Sequence, residues 1–157
     1  MDNIGERKES MGRTTIAASS VLGKAGMQVE TEVRGFKVLA DEPREFGGTD
    51  QGMSPVEMLL AALGSCQCMS TRFFAGLLGI ELAECRVALE GDFDMMGFLD
   101  GNSGIRPGLQ EIRVTVHIQA NAPAEKVAEL MSLVESRCPV GDTVLKGVPV
   151  VVRHVVA

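Results

Sequence analysis

The chain has 157 residues, 45% of them hydrophobic and 23% charged, with 21 acidic against 15 basic side chains for a formal net charge of -6. One domain of this length buries roughly 70% of the surface its unfolded chain exposes, so no disulfide staple is required, and the composition excludes wholesale disorder and fibrous repeats. The acidic balance leaves no electrostatic footprint for wrapping nucleic acid or anionic lipid, and neither is an expected partner.

The N-terminus, MDNIGERKESMGRTT, is polar and mixed in charge, without the apolar core and cleavage site of a secretory signal. The expected location is the cytoplasm, where thiols stay reduced. Residues 1–13 read as a flexible arm ahead of a single domain over 14–157. Residues 14–20, 28–33 and 36–40 are short β-leaning runs separated by Gly-containing turns, the pattern of an antiparallel meander. A polar loop follows at 41–52, DEPREFGGTDQG. It delivers the chain to a helix start at Ser54, Pro55 and Glu57: Ser as N-cap, Pro pre-organised at N1, and Glu at N3 closing a Ser-x-x-Glu capping box.

From Met58 this helix runs through LLAALGSCQCMSTRFFAGLL, apolar on almost every side, until Gly79 stops it. Such a helix is expected to be central and buried. It is not a membrane span, because the stretch from Gly64 to Arg72 is largely small or polar and a span needs about 20 apolar residues. Residues 85–91 and 109–120 read as strands, the second alternating Ile112, Val114, Val116 and Ile118 with Glu111, Arg113, Thr115 and His117. Between them a Gly-rich loop carries Met95, Met96 and Phe98, which either line a pocket or pin the loop. An amphipathic helix over 123–136 places Val127, Leu130, Met131 and Val134 on one side. Cys138-Pro139 breaks it, a short helical turn follows, and 148–156 reads as a closing strand. These elements make an α+β fold with one core.

In a reducing compartment four cysteines read as buried thiols, ligands or redox centres. Cys66 sits mid-helix beside Ala61, Gly64 and Ser65, small neighbours that leave room for another group to approach. By itself it reads equally as a reactive thiol or as core filler. Cys68 is two residues on, and two steps of about 100° turn its sulfur to nearly the opposite face, so it cannot bridge Cys66. Cys68 and Cys85 read as core filler. Cys138 precedes a proline able to serve as N1, which places its thiol at a helix N-cap where N–H groups and the helix dipole favour a thiolate. No metal is expected. A structural zinc site wants two close ligand pairs, whereas Cys66 and Cys68 diverge and His117 and His154 lie singly. No phosphate-binding Gly loop and no Gly-x-Ser-x-Gly elbow is present.

The segments PREFGG, SPVEMLLAALGSC, GLQEIRVTVHI and ESRCPVGDTVLKGVPV, in this order, resemble the OsmC/Ohr family over about residues 14 to 156. The resemblance implies an OsmC-like fold: antiparallel curved sheets around the long central helix, a second amphipathic helix, and an intertwined homodimer with its active site near the subunit interface. It also implies a thiol peroxidase without cofactor, in which Cys66 attacks an organic hydroperoxide, or hydrogen peroxide, and becomes a sulfenic acid. Cys138 then closes a Cys66–Cys138 disulfide, which an external dithiol reduces, in defence against oxidative stress. In the Ohr branch an acid directly follows the helix-opening Pro and pairs with an Arg. Here Val56 holds that place, Glu57 is the acid, and Lys24, Arg34 or Arg13 is the matching cation. A lysine is a flexible point charge rather than a planar fork, so the chain resembles the broad OsmC-like group more than Ohr proper. The alternatives are a non-catalytic small-molecule binding protein and a redox sensor.

Overall fold

The computed structural model describes residues 12–24 and 26–156; the proposed arm lies outside them except for its last two positions. The strands are β1 (Ser19–Leu22), β2 (Val29–Val33), β3 (Phe36–Ala40), β4 (Glu81–Asp92) and β5 (Glu111–Asn121). The helices are α1 (Pro55–Leu77), α2 (Met95–Leu99), α3 (Ala124–Arg137) and α4 (Pro139–Lys146), with a 3-10 turn at Arg44–Phe46. The class is α+β with antiparallel sheets. The chain divides into two compact units, one up to Pro55 and one from Val56 onward.

In the first unit β1, β2 and β3 form the expected meander, with Thr31 opposite both Ser20 and Val38. Arg34 and Gly35 make the tight β2–β3 turn, both with positive φ. The polar loop after β3 is more ordered than its composition implies. Asp41 is buried beneath it and accepts hydrogen bonds from the Thr49 hydroxyl (2.5 Å) and from the backbone N–H groups of Glu42 (2.9 Å), Thr49 (3.1 Å) and Gln51 (3.2 Å). Gly48 is required there, since a Cβ would lie 1.8 Å from the Glu42 carbonyl oxygen.

In the second unit β4 and β5 pair antiparallel along their whole length, with one register shift between Leu82 and Glu84. Helices α1 and α3 pack on this ribbon through Ala75, Ile80, Leu82, Leu130 and Val134, with Phe74, Cys85, Ile118 and Met131 against them. Close approach of α1 is purchased by Gly64, where a Cβ would meet Leu89 Cδ1 at 2.7 Å. The turn that ends α1 has Gly79 at φ +66°, a conformation that favours glycine.

Three sequence expectations differ from this picture. Helix α1 is long, as its pattern implies, but only Leu63, Gly64, Thr71 and Ala75 along it are buried, while Met69 and Phe73 are exposed; one chain covers only part of a helix that is apolar on almost every side. Residues 148–156 form no strand here, and Val150, Val151, Val155 and Val156 are each at least 80% exposed; a β-prone run has no ladder without a neighbouring strand. The Gly-rich loop contains α2, whose Asp94 N-cap accepts from Met96 N–H, and Met96 and Phe98 point outward rather than into a cavity. None of the helices among the described residues is long and apolar enough to cross a membrane.

Candidate functional site

The helix start at Pro55 sets the phase of α1, and that phase turns Cys66 towards the junction of α3 and α4. Cys138 occupies this junction, as the C-cap of α3 and the N-cap of α4. The local sequence explains it. A residue before proline avoids the α region, so Cys138 takes an extended conformation (φ -66°, ψ 115°), ending α3, while Pro139 begins α4. The Cys138 sulfur accepts a hydrogen bond from the Gly141 N–H at 3.4 Å. Gly141 is itself buried, and a Cβ there would lie 3.5 Å from Cys138 Sγ and 3.8 Å from Leu63 Cδ1.

Cys66 and Cys138, remote in sequence, are neighbours close enough for Cys66 to act on the Cys138 thiol. Both are reduced; Cys138 is buried and Cys66 half-buried. Burial pushes the Cys138 thiol above its ordinary value. The Gly141 N–H opposes that shift and the neighbouring Cys66 adds to it, so the net direction is up. This corrects the expectation of a thiolate at the N-cap: desolvation disfavours the charged form and outweighs the donors of a short helix. Cys138 thus holds its proton more tightly than an ordinary thiol.

Glu57 is exposed in the first turn of α1, about 14 Å from Cys66 along the axis at 1.5 Å per residue and half a rotation around the helix. Lys24 and Arg34 belong to the first unit. Lys24 is exposed at the bend between β1 and β2, and Arg34 stacks its guanidinium 5.5 Å from the centre of the Phe36 ring. Arg13 is exposed ahead of β1.

Two features were not foreseen from the sequence. The amide oxygen of Gln67, between Cys66 and Cys68, is buried without a hydrogen-bond partner among the described residues. Cys68, read as core filler, meets Cys85: its S–H points at the Cys85 carbonyl oxygen, 4.0 Å away. Helix periodicity placed Cys68 away from Cys66, but only the strand register shows which residue it faces. No group of three or more His, Cys, Asp or Glu side chains among the described residues is placed to hold a metal ion.

The family described as OsmC-like protein matches residues 48–153. Among solved structures, an OsmC-like protein from Mycoplasma pneumoniae shares the fold at a TM-score of 0.72 and 19% identity, covering 86% of this chain and 90% of that one. An organic hydroperoxide resistance protein OsmC from Legionella pneumophila matches at 0.61 and 19%, covering 87% and 93%. An organic hydroperoxide resistance protein from Elizabethkingia anophelis, crystallised with thiocyanate bound, matches at 0.62 and 16%, covering 87% and 91%. No curated protein sequence matches the chain.

Proposed function

We propose, from the premise that this chain belongs to the OsmC-like protein family, that it is a thiol-dependent peroxidase acting on organic hydroperoxides, with hydrogen peroxide a second substrate. The observation that carries the reading is that Cys66 and Cys138 are neighbours, close enough for Cys66 to act on the Cys138 thiol. The relatives named for organic hydroperoxide resistance supply the substrate class.

The Cys66 sulfur attacks the terminal oxygen of the hydroperoxide, the O–O bond breaks, and the alcohol leaves with a proton. The Cys66 sulfenic acid is then attacked by Cys138, an S–S bond forms, and water departs. Two thiols lose two electrons and two protons, and an external dithiol returns them. Cys138 is suited to the second role. It is held protonated by burial, so it does not compete as the attacking thiolate, and the Gly141 N–H supports its sulfur when the proton leaves. Lys24 or Arg34 is the proposed cation at the reacting thiolate; Glu57, half a rotation around α1 from Cys66, lies on the far side of the helix from that thiolate.

A second copy of the chain completes the molecule in this reading. The exposed apolar side chains of α1 and the unpaired valine run at 148–156 are the surfaces an intertwined homodimer buries. Reducing dithiols place the cycle in the cytoplasm, where disulfides do not persist.

The test is to mix reduced protein with one equivalent of cumene hydroperoxide and count free thiols by mass spectrometry. Loss of the Cys66 and Cys138 thiols, abolished by Cys66→Ser, is the expected result. Unchanged thiols, or equal peroxide consumption by Cys66→Ser, would refute the activity. A disulfide that forms once and turns over with no dithiol would favour a stress sensor.

A further inference from the structure

A second pair of thiols lies in the same unit, across α1 from the first. Cys68 projects towards β4, where the inward phase of the strand alternation, shared with the half-buried Val87 and Leu89, carries Cys85. The Cys68 S–H approaches the Cys85 carbonyl oxygen at 4.0 Å, and Cys85 is close enough to act on the Cys68 thiol. Both thiols are free and half-buried. They form part of the wall of a cleft of about 460 Å³, completed by Met69, Arg72, Phe73 and Leu82. Two sulfurs without a third Cys, His, Asp or Glu among the described residues do not build a closed tetrahedral metal site. Two neighbouring free thiols at an open cleft are the starting point for disulfide formation.

We propose that Cys68 and Cys85 are a second redox-active dithiol, which a hydroperoxide entering this cleft oxidises to a disulfide without the participation of Cys66 or Cys138. Cys68 points its S–H at the Cys85 carbonyl oxygen, and burial, first, and then Cys85 hold its thiol above the ordinary value. Cys85 therefore attacks and Cys68 resolves. The Cys85 sulfur takes the terminal oxygen of the hydroperoxide, the O–O bond breaks and the alcohol leaves with a proton. The Cys85 sulfenic acid condenses with Cys68, forming the S–S bond and releasing water. The pair loses two electrons and two protons, and the peroxide gains them. The disulfide fastens the middle of α1 to β4.

The test uses the full chain carrying Cys66→Ser and Cys138→Ser, reduced, desalted and exposed to excess tert-butyl hydroperoxide, followed by intact mass and non-reducing peptide mapping. The expected result is loss of two hydrogens and a peptide cross-linked through Cys68 and Cys85, both absent after a further Cys85→Ser change. The unsubstituted chain is mapped in parallel, so that misfolding of the double variant cannot hide the answer. Absence of the Cys68–Cys85 peptide in both chains would overturn the proposal, as would its appearance only between separate chains. A Cys66–Cys138 peptide in the unsubstituted chain without the Cys68–Cys85 peptide would leave the peroxidase reading standing alone; the reverse pattern would refute that reading and uphold this one.

Discussion

The two thiol pairs share a helix and differ in what holds the second sulfur. Cys138 stands at the head of α4, where the N–H groups of Gly141 and Val140 face it. Cys68 faces a strand, which gives it one N–H, from Val87, and a carbonyl acceptor on Cys85. A helix start concentrates unpaired donors, whereas a strand alternates donors and acceptors and has spent most of them on its ladder. Each resolving sulfur must shed its proton to close a disulfide, and the first environment supports that loss more than the second. In both, burial is the largest influence and drives the thiol upward, so the donors set which pair closes faster.

The largest expected effect separates the pairs outright. Cys138→Ser should leave Cys66 able to react once with hydroperoxide but unable to close, so that a sulfenic acid accumulates and is trapped by dimedone, with turnover lost. Cys85→Ser should leave turnover at Cys66 intact. Equal loss in both variants, measured by dithiol-coupled peroxide consumption, would mean that the pairs act as one site.

A comparable loss of integrity is expected from beneath both pairs. Leu130 is fully buried on α3, in the cluster against which Cys85 packs and on the helix that Cys138 ends. Leu130→Ala should cost about 2–5 kcal/mol in urea unfolding, the usual range for a leucine cut back in a core. It should also accelerate alkylation of Cys68 and Cys138 together. Acceleration at only one would show that the two sites open independently.

How much of this was legible in the sequence follows from the range of the interactions. The Ser-Pro-x-Glu helix start, the Cys-Pro break and the alternation in β5 are local, and each element formed where its signal lies. The facing of Cys68 and Cys85 depends on how α1 crosses β4, which no local pattern encodes. The burial of Asp41 was hidden for the same reason, since its partners Thr49 and Gln51 lie beyond a turn, in a stretch whose composition reads as plain loop. The N-cap position of Cys138 was readable from Pro139. The direction of its titration was not, because it depends on how much of the fold covers it. The valine run at 148–156 shows the converse: propensity reports a strand, but pairing needs a neighbour.

Asp41 sharpens the rule that donors compete with burial. It is as buried as Cys138, yet its carboxyl is held down at about 2, first by the Thr49 hydroxyl and then by three backbone N–H groups that outweigh desolvation. A carboxyl whose folded value is depressed contributes stability above its ordinary value of 3.8, and that contribution is lost as the pH falls towards about 2. Thr49→Val should raise the Asp41 value and move the acid-unfolding midpoint to higher pH, as followed by circular dichroism. The thiols run oppositely. Cys138 and Cys68 stay protonated in the fold when the unfolded chain has ionised, so stability should fall as the pH climbs past the ordinary thiol value of 9.0. A flat alkaline limb in the Cys68→Ala, Cys138→Ala double variant, set against a falling one in the unsubstituted chain, is the check.

The smallest effect belongs to the most conspicuous charges. Arg113 on β5 makes a bidentate pair with Asp92, at 2.5 and 2.8 Å, and reaches Glu111 at 3.3 Å and Glu90 at 3.4 Å. Its hydrogen bond holds the Asp92 carboxyl below the usual range. All of this happens in water: Arg113 and Glu90 lie on the outward phase of the β4–β5 ribbon, opposite Leu89 and Cys85. Exposed ion pairs gain little, because solvent and salt screen the attraction and the ordered side chains lose entropy. Arg113→Ala should therefore leave the urea midpoint almost unchanged at physiological salt and leave both thiol pairs reacting at their original rates. A marked slowing of either pair would show that the outer face of the ribbon is coupled to the sulfurs behind it, and that donors and burial alone do not govern them.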